Sequence, residues 1–131
     1  LHNIGQAAAL AGVSAKMIRH YEAIGLMAPA ARTHANYRLY GQDDLHRLRF
    51  IKRARSLGFS IKQIQALLAL WDDPHRASAE VKQLALAHAA GLEQKIRELQ
   101  AMQRTLRSLA QRCHGDARPT CPILEELAAG E

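Results

Sequence analysis

Between Val81 and Arg112 the sequence reads as one long helix and little else. Leucines recur at seven-residue steps, Leu92, Leu99 and Leu106. Ile96, Met102 and Leu109 widen the same stripe, and Gln94, Lys95, Arg97, Glu98 and Gln100 fall off it. A narrow apolar seam held over several heptads suits pairing with a second helix. Little other apolar sequence is available to cover a stripe roughly 50 Å long at ~1.5 Å per residue, so the partner expected is another copy of the chain. The next seven-residue step lands on a thiol, Cys113, and a second thiol, Cys121, follows after a short loop.

The head of the chain is basic and the body is not. Residues 1–60 hold nine Lys/Arg against three Asp/Glu, and residues 61–131 hold nine against nine. Charge confined to one end points to a polyanionic partner there, because solubility alone would not require the asymmetry. No apolar run approaches the ~20 residues that a bilayer-spanning helix needs, and no basic-then-apolar leader opens the sequence. The expectation is a cytoplasmic protein without membrane contact, in which two cysteines bind metal or change redox state rather than staple the fold. No Ser/His/Asp, carboxylate-pair or phosphate-loop arrangement suggests catalysis.

In chain order, Ile4 to Ala11 forms a short alanine-rich helix and Gly12–Val13 a turn. Ser14 caps a second helix running to about Ile24, with Gly25 placed to stop it. Two short helices joined by a tight turn make a helix-turn-helix. Lys16, Arg19 and His20 are free to face outward. After Pro29, the alternation in Tyr37–Arg38–Leu39–Tyr40 reads as a strand, and Asn36 suits a tight turn, giving a small hairpin wing. Its mix of arginine and aromatic residues suits phosphate and sugar contact. A third helix starts at Asp43 or Asp44 and runs to Ser56, with Leu45, Leu48, Ile51 and Ala54 inward and Arg47, Arg49, Lys52, Arg53 and Arg55 as a general basic face. Gly58 ends it. Ser60 caps a fourth helix, which Asp72–Asp73–Pro74 terminates.

This succession resembles the MerR family of transcriptional regulators. The segments that carry the resemblance are Ile4–Gly5–Gln6–Ala7–Ala8 with Gly12–Val13–Ser14, Ile18–Arg19–His20–Tyr21–Glu22 with Gly25–Leu26, Tyr37–Arg38–Leu39–Tyr40, and Arg55–Ser56–Leu57–Gly58–Phe59–Ser60. The tail is similar to the CueR-type copper-responsive branch, through Ser78–Ala79–Glu80–Val81–Lys82 and Cys113…Cys121–Pro122–Ile123. The chain departs from the pattern at Asn36, where glycine is common in the wing turn, and at His114, where proline is common.

The resemblance implies a mainly α fold in three parts. They are a winged helix-turn-helix DNA-binding head (residues 1–73), a linker with a long antiparallel coiled-coil dimerisation helix (74–112), and a metal-binding loop with a short C-terminal helix (113–131). It implies a homodimer on double-stranded promoter DNA that distorts the promoter, so that RNA polymerase can use it, when metal binds. Matching positions put Lys16, Arg19 and Tyr21 on the recognition helix and Arg32, Tyr37, Arg38 and Tyr40 in the wing as DNA contacts. They put a metal ion on Cys113 and Cys121.

The identity of that ion has its own chemical footing. Two thiolates are soft ligands that favour Cu(I), whereas structural zinc wants four donors. In the family's divalent-ion sensors a cysteine stands where this chain has Ser78, so serine there resembles the monovalent class, leaving Cu(I), Ag(I) and Au(I). Cys121 precedes Pro122, a favoured first helical position, so a helix N-terminus would help hold the charge. Ile123, Leu124 and Leu127 are expected to fold that helix back and exclude water. The competing reading is a thiol-redox-responsive regulator of the same family, although the spacing of the cysteines is not the C-x-x-C of redox motifs.

Overall fold

The computed structural model describes residues 1–35 and 37–130; Asn36, expected to take the wing's turn, lies outside the described residues. The elements are α1 (Ile4–Ala11), α2 (Ala15–Ala23), β1 (Ala31–Arg32), β2 (Arg38–Leu39), α3 (Gln42–Ser56), α4 (Ile61–Asp72), α5 (Ser78–Arg112) and α6 (Pro122–Ala128). They fall into two compact units, residues 1–81 and 82–131.

Local signals in the first unit set where the helices begin. Asn3 accepts from the Gln6 amide while the Gln6 side chain accepts from the Asn3 amide, a reciprocal box that opens α1. Gly12 closes it in the left-handed conformation, φ 71°, and Ser14 then accepts from the Met17 amide to open α2. Ser60 and Gln63 repeat the box at α4. Helix α3 starts at Gln42, slightly before the expected Asp43 or Asp44. The Asp44 carboxylate folds back to accept from the Gly41 amide at 2.9 Å, so both aspartates sit inside the first turn, at the positive helix end. Helix α5 likewise starts at Ser78 rather than Val81.

The core of this unit is continuous. Ala7, Ala8 and Ala11 of α1 are small enough to let it lie close on α2 and α3. Ile18 and Tyr21 come from α2, Leu26 and Met27 from the loop after it, Tyr40 from the wing's end, Leu45, Leu48, Ile51 and Ala54 from α3, and Ile64 and Leu68 from α4. The wing is a two-stranded antiparallel ladder pairing Ala31 with Leu39 and Arg32 with Arg38. Tyr40 extends it by exchanging backbone hydrogen bonds with His2 at 2.8 and 2.7 Å, which ties the chain's start to the wing.

Arg47 is not the general surface charge its neighbours suggested. Its Nε donates to the Leu26 carbonyl at 3.0 Å, and its two terminal nitrogens grip the Asp72 carboxylate, each at 2.9 Å. One side chain thus joins α3 to the loop after α2 and to the end of α4. Beyond Asp72, Arg76 sits over the Trp71 ring, 5.4 Å from its centroid, and donates to the Trp71 and Asp73 carbonyls. A cation there suits the negative end of α4.

In the second unit the heptad stripe of α5 is uncovered. Leu92, Ile96, Leu99, Met102 and Leu106 are all between 37% and 62% exposed, and Leu109 alone is buried, at 2%. No helix among the described residues is long and apolar enough to cross a membrane.

The core and the Arg47–Asp72 pair should differ sharply in weight. Leu48→Ala, at a fully buried site, should cost about 2–5 kcal/mol in chemical denaturation. Asp72→Asn should cost at most ~1 kcal/mol, since the pair is solvent-exposed and screened. Arg47 holds the Asp72 carboxyl below its ordinary range. The pair's contribution should therefore be complete above the ordinary carboxylate pKa and vanish as pH falls through the lowered folded value. Equal losses for the two variants at neutral pH would contradict this ranking.

Candidate nucleic-acid interface and metal centre

Helix α2 presents Lys16, Met17, Arg19 and His20 to solvent and keeps Ile18 and Tyr21 inward. Arg19 meets the wing there. A shallow groove of about 340 Å³ is lined by Arg19, Arg32, Tyr37 and Arg38, with Asn3 and Ile4 of the first helix turn. Four of the seven side chains expected to touch DNA thus share one concave face. Lys16 and Arg19 form no ion pair among the described residues, so their charge is open to an outside anion. Lys16 does not line the groove, although it stands on the same helix.

The remaining two tyrosines are elsewhere, and the expectation for them is corrected. Tyr21 is 4% exposed and Tyr40 0%. Both rings build the core of the head rather than line its outer face. The Tyr40 hydroxyl donates to Glu22 Oε1 at 2.5 Å. Burial first, and the Glu22 carboxylate second, push that hydroxyl up to about 12, so it remains a donor at neutral pH.

Sequence reasoning missed Glu22. Its side chain is 8% exposed, and the same Oε1 also accepts from Arg38 Nη1 at 3.2 Å. A signal was available: Glu22 is the single Asp or Glu among residues 1–42 of an otherwise basic head. The larger cleft of the head, about 950 Å³, also reaches Glu22, but Asp43, Asp44 and Asp72 line it. Those carboxylates make it a poor place for phosphate.

At the far end of α5 the chain turns just after Arg112, and Cys113 and Cys121 face one another with their Sγ atoms 4.0 Å apart. Both are free thiols, half-buried. Cys121 is the N-cap of α6, with Pro122 in its first turn. The Leu124 amide first, then the Ile123 amide and the Cys113 thiol, hold the Cys121 thiol below its usual range, against partial burial and the Glu125 carboxylate. This is the pull of a helix N-terminus on a thiolate. Leu109, one turn before Cys113, is the buried residue of α5.

The carboxylate of this loop is engaged elsewhere. Asp116 accepts from the Arg118 amide at 2.9 Å and from its guanidinium at 2.8 and 2.7 Å. No group of three or more His, Cys, Asp or Glu that could hold a metal ion occurs among the described residues. The separation of 4.0 Å would also fit two corners of a tetrahedron. Two thiols at this distance suit a soft metal ion. The expected apolar cover is only partly present. Ile123 is half-buried, but Leu124 and Leu127 are 65% and 66% exposed. A seven-residue helix anchored at its first turn leaves its second turn in water.

Family models match along most of the chain: MerR HTH family regulatory protein over residues 3–70, and MerR, DNA binding, over residues 45–109. The chain is 61% identical over 128 residues to the HTH-type transcriptional regulator HmrR of Sinorhizobium medicae (strain WSM419), covering 98% of this chain and 87% of that protein. It is 41% identical over 126 residues to the HTH-type transcriptional regulator CueR of Escherichia coli O6:H1, covering 96% and 93%. Among solved structures, the transcription regulator PbrR691 from Ralstonia metallidurans CH34, in complex with lead(II), superposes with a TM-score of 0.84 at 35% identity over 97% of this chain and 99% of that one. The helix-turn-helix with its wing, the long heptad helix and these matches lead to one assignment: the chain belongs to the MerR family of transcriptional regulators.

Proposed function

We propose that this protein is a metal-responsive transcriptional activator that works as a homodimer on promoter DNA, with Cu(I), or Ag(I) or Au(I), as its signal. The observation that carries the metal reading is the pair of half-buried thiols 4.0 Å apart, with no third donor among the described residues. Cys113 and Cys121 would hold the ion, which supplies a soft positive charge that joins two thiolates. The amides at the start of α6 favour the negative charge left over. Ser78, a poor soft-metal ligand, stands where the divalent sensors of the family place a third thiol. Binding would fix the 113–121 loop and α6 together. The exposed Leu124 and Leu127 then become a surface available for docking.

The head would bind DNA through Lys16, Arg19, Arg32, Tyr37 and Arg38. Phosphate contacts of this kind set affinity and make it fall with salt, and base-edge contacts from α2 set the sequence read. Activation would work through deformation of DNA that the protein need not read directly, bringing the promoter into a form that RNA polymerase can use. The protein would act in the compartment that holds that promoter.

The stripe on α5 supports dimerisation. Fully burying a leucine or isoleucine is worth roughly 1.5–3 kcal/mol, and five such side chains or their like lie open on one helix. A second copy of α5 supplies a matching seam.

Two outcomes are expected. In an anaerobic titration of reduced protein against a competing chelator, one tight Cu(I) should bind per chain and be lost in Cys113→Ser and Cys121→Ser. Both variants should still bind DNA but no longer activate transcription with copper. Zn(II) binding as tightly, or activation surviving either substitution, would sink the metal reading. Weak Cu(I) binding together with activation by thiol oxidation would favour a redox-responsive regulator instead. Separately, Leu99→Lys should shift the protein from dimer toward monomer in sedimentation equilibrium while leaving the melting of the head unchanged. An unchanged dimer would move the interface off this seam.

A further inference from the structure

We infer that Glu22 is a positioning residue for one DNA-facing arginine, Arg38: its carboxylate ties the wing to the recognition helix and holds the Arg38 guanidinium in the groove shared with Arg19, Arg32 and Tyr37. The inference rests on the DNA-binding reading of that groove.

The placement of Glu22 needs a reason. It is the one carboxylate among the first 42 residues, and it lies 3.2 Å from an arginine that lines the groove. A negative charge there weakens the local positive potential and by itself disfavours a polyanion. What it offers in return is geometry. Glu22 stands in the last turn of α2, and Oε1 accepts from two groups of the wing, Arg38 Nη1 and the Tyr40 hydroxyl. One oxygen atom therefore connects the recognition helix to the strand that carries Arg38.

The wing needs such a tie. Its strands are two residues each, and a hairpin of that size has little stability of its own. Three anchors hold the β2 end: the His2–Tyr40 backbone pair, the buried Tyr40 ring and the Glu22 carboxylate. Of these, Glu22 alone reaches a DNA-facing side chain. A guanidinium carries five N–H donors, so one committed to Glu22 leaves others for phosphate. Holding a long side chain in place beforehand also lowers the entropy lost on binding.

Electrostatics and positioning make opposite forecasts, which allows a clean test. The full-length protein would be titrated by fluorescence anisotropy against two duplexes of equal length. One is selected by the wild-type protein from a random pool, and the other is a scrambled version of it. If Glu22 positions Arg38, Glu22→Gln weakens binding to the selected duplex by about tenfold and leaves the scrambled duplex bound as well as before or better. Glu22→Asp keeps the charge but shortens the reach, and should weaken the selected duplex too. In an Arg38→Ala background, Glu22→Gln should add nothing further.

Tighter or unchanged binding of the selected duplex by Glu22→Gln overturns the inference, as do effects of Glu22 and Arg38 that simply add. If Glu22→Gln melts below the assay temperature, Glu22→Asp decides alone, and unchanged affinity there overturns it. Failure of the underlying reading looks different. In that case Arg19→Ala and Arg38→Ala leave the selected duplex bound as in wild type, or no duplex is enriched at all, and the inference about Glu22 falls with the interface. Weakened arginine variants beside neutral Glu22 variants reject the role of Glu22 alone.

Discussion

A helix of thirty-five residues carries an apolar stripe that its own chain does not cover. This is the constraint from which much else follows. These side chains stay open to solvent at heptad spacing, and on the proposed reading an identical stripe from a second copy covers them. On the proposed reading, a symmetric pair would carry two heads to the promoter, one from each chain. The exception along the stripe is Leu109, which is buried within its own chain, one turn before the first thiol. The stripe thus changes character where pairing would give way to ligand binding.

The head solves a different problem, which is how to gather positive charge on a small body and keep it in order. Arg19, Arg32 and Arg38 converge on one groove, whereas Arg47 is used structurally against Asp72 and Leu26. Residue type does not separate these roles; the position of the nearest carboxylate does. Asp72 lies at the end of α4 and draws Arg47 into the fold, while Glu22 lies beneath the wing and fixes Arg38 without burying it. Two arginine–carboxylate pairs on one small unit therefore have distinct consequences.

Much of this was legible in the sequence, because caps and stops are local. Ser14, Ser60, Gly58 and Pro122 mark helix limits through hydrogen bonds or dihedral angles that involve only near neighbours. The wing shows where locality ends. A period of two places Arg38 and Tyr40 on one face, and both do turn to the same atom, Glu22 Oε1. The period cannot say which face is buried. That depends on α2 bringing a carboxylate from 16 and 18 residues away. Tyr40 was therefore expected outside with Arg38, although its ring fills the core. Tyr21 is a different case. It follows Arg19 and His20 in the motif, but it stands three residues after Ile18, so helical spacing already places it on the buried face, in agreement with its 4% exposure.

The thiol pair illustrates how a small site can gain selectivity by withholding donors. On the proposed reading, Cys113 and Cys121 suffice for a soft monovalent ion, and any further ligand would favour divalent competitors. The loop between them contains a carboxylate that could serve as one. Asp116 accepts instead from the amide and the guanidinium of Arg118. The thiolate is favoured from the other side, since the first-turn amides of α6 lower the Cys121 thiol without adding a ligand. Glu125 works against them, so the thiolate is favoured only within limits. On the proposed reading, such a site would discriminate by the number of donors it offers as well as by their softness.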